Sequence, residues 1–576
     1  MSDSVTVADY LLERLVQVGV THIFGVPGDF NLVFLDSVED HPKLTWVGCC
    51  NELNAAYAAD GFARTQKEGL GVLLTTFGVG ELSALNGQAG AFAEHVPMLH
   101  LVGTPSTKLQ SKHAVLHHTL GDHGFSSYSS MAAHLSMATV LLHSADQAPD
   151  GIDRAIRVAL QTSRPTYLTL PTDLVTAKVP SKSLQQRMTA RECIASPSFE
   201  PASAKSLQHA VAAVVALYEK AQKPLVLIDA CAVRFGVQKQ ALDLIEATGV
   251  PFVTSPMGKG AIDEAHPRFS GIYVGDISDP AVRDLVNGSD FVLSVGGINS
   301  DFNSGGFSGK IAENHSVSLH SNRTEVQYAL YENLGFRRML PALTEALGKA
   351  KSAGKSTKVE GSGHAKEVSE SQRKADAGLE QDSFWPHLGS SLKDGDVILA
   401  ETGTSLFGIL DVKFPPNVTF IGQILYGSIG YTGGAVLGAA IAAKKAGRRT
   451  ILCIGDGSMQ LTVQEVGTLI RHGLKPIILL LNNDGYVIER QIHGENRVYN
   501  DIGRWRWQRM LDFFGADAST SQSHLVKTNA EFDALWSDSA FSTPDKLQFV
   551  ELIFGPHDSP RALREQAKMT EKVNAE

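Results

Sequence analysis

The sequence predicts an α/β protein made of three doubly wound parallel-sheet domains, and three observations lead there. Short continuous apolar runs, among them residues 70–75, 224–230, 451–454 and 476–481, have the length and composition of strands buried on both faces. Between such runs lie segments with a helical apolar period, for example 7–18 and 238–248. Gly-rich turns close many of the runs, which is the alternating grammar of doubly wound domains, and 576 residues suffice for about three of them.

The elements follow in order. Residues 1–180 form the expected first domain. A helix over 7–18 leads to the strand-like HIFGVPG and a tight turn carrying Asp29, which locally reads as a cap for the next helix. LTWVGCCNELNAAYAADGFAR is a strand that delivers Glu52 to an Ala-rich helix, where a carboxylate ordinarily serves as an N-terminal charge. The strand at 70–75 runs into FGVGELSALNG, and GAFAEHVPMLHLVGTP follows with Glu94 and His95. Next comes SKHAVLHHTLGDHGF, with His113, His117, His118 and His123; no regular helical pair and no nearby cysteine argue for a metal site there.

Residues 181–200 are polar and read as an irregular linker. A central α/β domain, 201–350, carries the buried runs PLVLIDA and DFVLSVGG but no GxGxxG dinucleotide fingerprint. Residues 351–381 are rich in Lys, Ser, Gly and Glu and read as an exposed polar linker. The third domain spans 382–556, and the tail 557–576 is charged and helical in pattern.

The net charge of −10, without a basic block, argues against a nucleic-acid partner. The opening MSDSVTVADYLLERL has neither an apolar signal core nor an Arg-rich transit character, and no run approaches a membrane span, so the expectation is a cytoplasmic protein with no membrane partner. Five scattered cysteines without CxxC spacing fit reduced thiols.

The chemistry concentrates in ILCIGDGSMQLTVQEVGTLIRHGLKPIILLLNNDGYVIER, residues 451–490. A strand delivers Asp456 between Gly455 and Gly457, a helix crosses over, and a second strand brings Asn483 and the Gly485 carbonyl toward the same point. Three oxygens, with phosphate oxygens completing an octahedron, suit Mg²⁺. Glycines that admit a phosphate to the amides of the following helix make this a Mg²⁺-diphosphate site; the plain alternative is an ordinary βαβ unit with a Gly-rich turn.

This GDG followed by an NN-type turn resembles the thiamine diphosphate-binding motif. The flanking GDGSMQLTVQE and NNDGYVIERQIHG are similar to the thiamine diphosphate-dependent 2-keto acid decarboxylase family, in its yeast-type pyruvate decarboxylase branch. The resemblance covers almost the whole chain and implies an aminopyrimidine-binding first domain, a central structural or regulatory domain and a diphosphate-binding third domain. It further implies a homodimer as the smallest active assembly and a homotetramer as the common one. By the same resemblance Glu52 shares a proton with N1′ of the aminopyrimidine. Ile429 supports the bent cofactor, although on its own it reads as a core aliphatic. Thr404, Gly427, Gly457, Ser458 and Ile488 fall at cofactor-binding positions.

Asp29, His117, His118 and Glu489 match the polar active-site residues of the family. Carboxyl groups in a shielded pocket resist the charge of an incoming 2-keto acid, so one of them is expected to be held protonated and to act as an acid. Glu489 is expected to assist decarboxylation, with Asp29 and the His pair handling protonation and aldehyde release. Phe302, Tyr426, Ile488 and Ile492 match substrate-pocket positions; many pyruvate decarboxylases carry Trp where Tyr426 stands, which leaves the size limit open. Cys231 matches a cysteine tied to substrate activation, with Glu94 and His95 on the proposed route; a buried inert thiol is the plain alternative.

The function implied is non-oxidative decarboxylation of pyruvate to acetaldehyde and CO₂ through a thiamine diphosphate C2 carbanion and an enamine, with Mg²⁺ as second cofactor. The alternatives are a decarboxylase preferring aromatic or branched 2-keto acids, an acetolactate synthase-like carboligase, and a noncatalytic metabolite-binding protein.

Overall fold

Apolar runs too long to leave one face wet become the centres of three sheets in the computed structural model, which describes residues 3–197, 200–350, 373–543 and 545–575. The first sheet orders its strands Thr45–Gly48, His22–Gly25, Gly71–Thr76, Met98–Thr104, Thr166–Pro171 and Thr139–Leu141, all parallel. The third orders Thr419–Ile421, Val397–Ala400, Thr450–Gly455, Ile477–Asn482, Leu547–Ile553 and Ser521–Val526, again all parallel. The second is parallel from Phe269–Ile272 to Ser316–Leu319 and then gains two antiparallel edge strands, Arg323–Val326 and Ala329–Glu332, which the reading of purely parallel domains did not anticipate.

In the first and third sheets the chain starts inside and then moves to both sides. The strand His22–Gly25 is flanked by Thr45–Gly48 and Gly71–Thr76, and Val397–Ala400 by Thr419–Ile421 and Thr450–Gly455. Each reversal opens a crevice at the carboxyl ends of the strands, where such folds hold their ligands.

The described residues divide into two compact units. One holds the first sheet together with 426–447 and 462–474; the other holds the second and third sheets. In the first unit the helix Tyr431–Lys445 packs along Glu52–Thr65 at very short range. A Cβ added to Gly438 would stand 1.8 Å from the Ala58 carbonyl oxygen, and one on Gly61 2.1 Å from that of Ala435. The Gly- and Ala-rich composition of these helices is therefore a packing requirement.

Two linker expectations need correction. Residues 181–200 are not irregular throughout: Lys182–Gln185 and Ala190–Ala195 are helical, and Leu184, Met188 and Cys193 join the core of the first unit because the stretch hides an apolar face among its polar residues. Of the expected linker 351–381, residues 351–372 lie outside the described residues. In the remainder Lys374, Ala375, Asp376, Gly378 and Glu380 are exposed as expected, but Leu379 and Gln381 are buried: Arg373 pairs with Asp533 at 2.8 Å, and Gln381 opens the helix Gln381–Ser391 and accepts a bond from Trp385 Nε1 at 2.6 Å. The tail is helical as expected, over Arg561–Ala575, and packs against Val487–Ile492 and Thr404–Gly408. Among the described residues no helix is long and apolar enough to cross a membrane. No cysteine is in a disulfide.

Inside the first unit His100 is fully buried, its Nε2 2.9 Å from Thr75 Oγ1 and its Nδ1 2.7 Å from Gln88 Oε1. Burial pushes its pKa down to about 3. An unfolded chain binds the imidazole proton near pH ~6.5, so the stability due to a neutral buried ring is complete above that pH and is lost as pH falls toward the folded value. The expected slope is up to about 1.4 kcal/mol per pH unit. Thermal unfolding midpoints of the wild-type protein should fall on acidification from pH ~7.5 to ~5, more steeply than those of His100→Gln; equal slopes would remove His100 from the acid sensitivity.

Candidate active site

In the first unit the strand His22–Gly25 ends in the turn that presents Asp29. Asp29 does not cap the next helix. The N-cap of Leu32–Glu39 is Asn31, whose Oδ1 accepts the Gly28 amide at 3.0 Å. The Asp29 carboxylate meets the His pair instead, with Oδ2 2.5 Å from His117 Nε2 and Oδ1 3.8 Å from His118 Nε2. Phe30 stacks on the His117 ring with centroids 5.0 Å apart, a contact that nothing in the local sequence announces. His118 stands at φ 66°, and its carbonyl accepts the Tyr128 hydroxyl at 2.8 Å. A non-glycine residue persists in that conformation when its surroundings hold it there, as at ligand sites. His113 and His123 point elsewhere: the Nδ1 of each lies against the other's backbone carbonyl, at 3.2 and 2.9 Å.

Glu52 opens the helix Glu52–Thr65, but Asn51 supplies its cap by accepting the Asn54 amide at 2.8 Å. Among the described residues the Glu52 carboxylate makes no hydrogen bond. Its Oε1 lies 3.0 Å from where a Cβ of Gly80 would stand, so that glycine leaves it room. Ile429 is half-buried between Gly427 and Gly430, both at positive φ, which makes it a presented aliphatic more than a core one. Beside it runs a network missed in the sequence. The Tyr426 hydroxyl donates to Asn86 Oδ1 at 2.8 Å, Asn86 Nδ2 donates to Ser428 Oγ at 3.0 Å and Tyr57 Oη at 3.1 Å, and the Tyr426 amide donates to Glu94 Oε1 at 3.1 Å. Asn86 belongs to no motif, so no sequence signal marks it. His95 lies 2.8 Å from Arg164 through its Nε2.

In the second unit Asp456 and Asn483 follow the adjacent strands Thr450–Gly455 and Ile477–Asn482. The terminal side-chain oxygen of Asn483 faces two further oxygens, the Gly485 carbonyl at 2.9 Å and Asp456 Oδ1 at 3.0 Å. Turning the amide over would convert both contacts to N–H···O bonds. Burial pushes the Asp456 carboxyl up to about 7, against amide bonds from Gly457, Asp484 and Gly485 that favour its charged form. Gly457 and Ser458 continue the short helix begun at Asp456. Arg490 braces the turn, donating through Nη2 to the Asp484 carbonyl at 2.7 Å and through Nη1 to that of Pro556 at 2.9 Å.

The helix Val487–Ile492 carries Ile488, exposed Glu489 and Ile492. Ile488 and Phe302 pack on the core that contains Phe407, and Phe302 meets Phe407 edge-on at 5.8 Å. Thr404 is buried at the start of Thr404–Gly408. Cys231, 8% exposed, belongs to the second unit, whereas Glu94, His95 and Tyr426 belong to the first.

Residues 5–125, 211–344 and 402–533 match the N-terminal TPP-binding, central and C-terminal TPP-binding domains of the thiamine pyrophosphate enzymes. The chain is 44% identical over 573 residues to pyruvate decarboxylase isozyme 1 of Saccharomyces cerevisiae, with 99% of each chain covered. It is equally similar to the pyruvate decarboxylases of Candida glabrata and Kluyveromyces marxianus, again with 99% of each chain covered. The chain belongs to the thiamine pyrophosphate enzyme family.

The residues present fit the cofactor pair of the family, thiamine diphosphate (thiamine pyrophosphate) with Mg²⁺. An octahedral Mg²⁺ with bonds of about 2.1 Å sets neighbouring oxygens about 3.0 Å apart, the spacing found here. Asp456 is a buried acid with the Asn483 oxygen 3.0 Å away, and a cation there would favour its charged form. Asp456, Asn483 and the Gly485 carbonyl would hold the ion, and Glu52 has a carboxylate to spare for a ring nitrogen. With thiamine diphosphate and Mg²⁺ together at about 100 times their dissociation constant, the wild-type protein should gain about 2.7 kcal/mol, read as a rise in unfolding temperature. EDTA should abolish the gain and Asp456→Ala should lack it; an equal gain in the variant would remove Asp456 from the site.

Proposed function

We propose that this member of the family is a lyase that decarboxylates a 2-keto acid without oxidation, taking pyruvate to acetaldehyde and CO₂. The observation that carries the reading is the 2.5 Å contact between Asp29 Oδ2 and His117 Nε2, with His118 Nε2 3.8 Å from the other oxygen. Release of a free aldehyde requires a proton delivered to carbon and another taken from a hydroxyl. A carboxylate between two imidazoles can hold and pass both, whereas a carboligase needs no proton delivered to carbon and a metabolite-binding protein needs neither transfer.

When bound, thiamine diphosphate supplies a nucleophilic carbanion and an electron sink. The chain's own residues do the rest. Glu52 would hold a proton at a ring nitrogen of the aminopyrimidine, Ile429 would support the cofactor, and Thr404, Gly427, Gly457, Ser458 and Ile488 would bind it. Asp29 Oδ2 and His117 Nε2 keep one proton between them, and His118 relays it. Glu489 is assigned to the carboxylate of the substrate, whose loss as neutral CO₂ relieves crowding of like charge.

A second reading rests on Tyr426. Its hydroxyl is tied to Asn86 and its side chain is 37% exposed, so it closes less volume than a Trp would, and larger 2-keto acids become acceptable. The same proposal places the chain in the cytoplasm as a homodimer or homotetramer. It divides the chain into an aminopyrimidine domain (1–180), a central domain (201–350) and a diphosphate domain (382–556).

With thiamine diphosphate and Mg²⁺ supplied, acetaldehyde should dominate the products from pyruvate, 2-ketoisocaproate and phenylpyruvate offered in parallel. Dominance of a larger aldehyde would move the assignment to the second reading, and acetolactate without aldehyde would overturn both. Glu489→Gln should lower kcat for CO₂ release by about 10²- to 10⁴-fold while cofactor binding persists; full turnover would refute its role.

A further inference from the structure

The groups that converge on Asp29 have the donor chemistry of a second metal site. The ligand atoms of Asp29, His117 and His118 all lie within 4.8 Å of one another. Two are imidazole nitrogens and one is a carboxylate oxygen, a set that suits Zn²⁺, Co²⁺, Ni²⁺ or Cu²⁺ and not Mg²⁺, which takes oxygen. Metal–ligand bonds of about 2.1 Å in a tetrahedron place donors about 3.4 Å apart. The nearest separations, 2.5 Å from His117 Nε2 to one carboxylate oxygen and 3.8 Å from His118 Nε2 to the other, straddle that value.

Access and support are both present. The side chains of His117, Asp29 and His118 are 60%, 45% and 31% exposed, so an ion has a path to them. Phe30 stacks on one ring, and the Tyr128 hydroxyl anchors the backbone of the other residue, which limits the motion each ligand would lose on binding. The Mg²⁺ site is built from oxygens alone and sits in the other unit, so the two sites differ in chemistry as well as in chain segment.

We infer that Asp29, His117 and His118 form an inhibitory site for a divalent transition-metal ion, separate from the Mg²⁺ that accompanies the cofactor. A bound ion occupies the lone pairs of both Nε2 atoms and neutralises the carboxylate, so the cluster can neither accept nor deliver a proton. Uptake displaces protons from the ligands and requires no redox change. The inhibition rests on the decarboxylase reading; the binding does not.

The test uses the protein loaded with thiamine diphosphate in excess Mg²⁺, titrated with Co²⁺ and followed by calorimetry and by the visible absorption of the ion. One Co²⁺ per chain should bind with the cofactor retained, and X-ray absorption should count two imidazoles. Affinity should fall at least roughly 10- to 100-fold in His117→Asn and in His118→Asn, since losing even an outer partner of a metal ligand has that effect. It should be unchanged in Cys50→Ser, which removes the exposed thiol. Cofactor retention in the histidine variants checks that they are folded. Absent uptake, uptake that survives loss of both histidines, or uptake lost with Cys50 would overturn the site. Uptake through both histidines without loss of aldehyde production from pyruvate would overturn the inhibition. A wild-type protein that binds Co²⁺ in this way yet turns over no 2-keto acid before any Co²⁺ is added would refute the proposed function and leave the site standing.

Discussion

A parallel strand buried on both faces accepts a polar side chain freely only at its end; one within it, such as His100, must be hydrogen-bonded on every side. That constraint organises the molecule. The carboxyl ends of the strands in the first sheet present Asp29 and Glu52, and those in the third present Thr404, Asp456 and Asn483. In each of the two sheets the strand order reverses beside those ends, the position at which such folds keep their ligands. The candidate chemistry lies at the strand ends because the interior is given mostly to packing.

One polar pair in the interior is answered entirely by the chain itself. Lys259 and Glu264 are both fully buried and paired at 2.8 Å, with the ammonium also donating to the Val412 carbonyl and the carboxylate accepting the Phe414 amide. Every element of that pair is internal, as expected of a structural ion pair, which is costly to break by removing one partner. Asp456 and Glu52 contrast with it. The first is surrounded by acceptors and amides with no cation among the side chains, and the second makes no hydrogen bond at all among the described residues. Both are the groups that the proposed function assigns to ligands.

Most of the fold was legible. The helix expected at 7–18 is Val7–Gln17, that at 238–248 is Gln238–Thr248, and the strand expected at 476–481 is Ile477–Asn482, because apolar period and length reflect burial directly. The linkers were read less well. Composition detects the polar face of a segment such as 181–200 but averages away the few apolar residues that dock it. The GDG and NND turns were legible as one site because strand, crossover and strand are consecutive in the chain. The Asp29–His117–His118 cluster was legible only by family resemblance. Local rules read Asp29 as a cap and gave the histidines no metal-like spacing, since the partners stand 88 residues apart.

By itself the sequence determined the class of fold, the strand ends that carry acids and amides, and the pairing of Asp456 with Asn483, all of which follow from short-range periodicity and obligatory connection geometry. Tertiary structure alone decided that Asp29 turns to the histidines instead of capping the next helix, that Phe30 stacks on His117, and that Asn86 ties Tyr426 to Ser428. The physical reason is that hydrogen bonds and ring stacking act over a few ångströms in space. Which residues come that close is set by how sheets and helices pack, a relation that spacing along the chain does not encode.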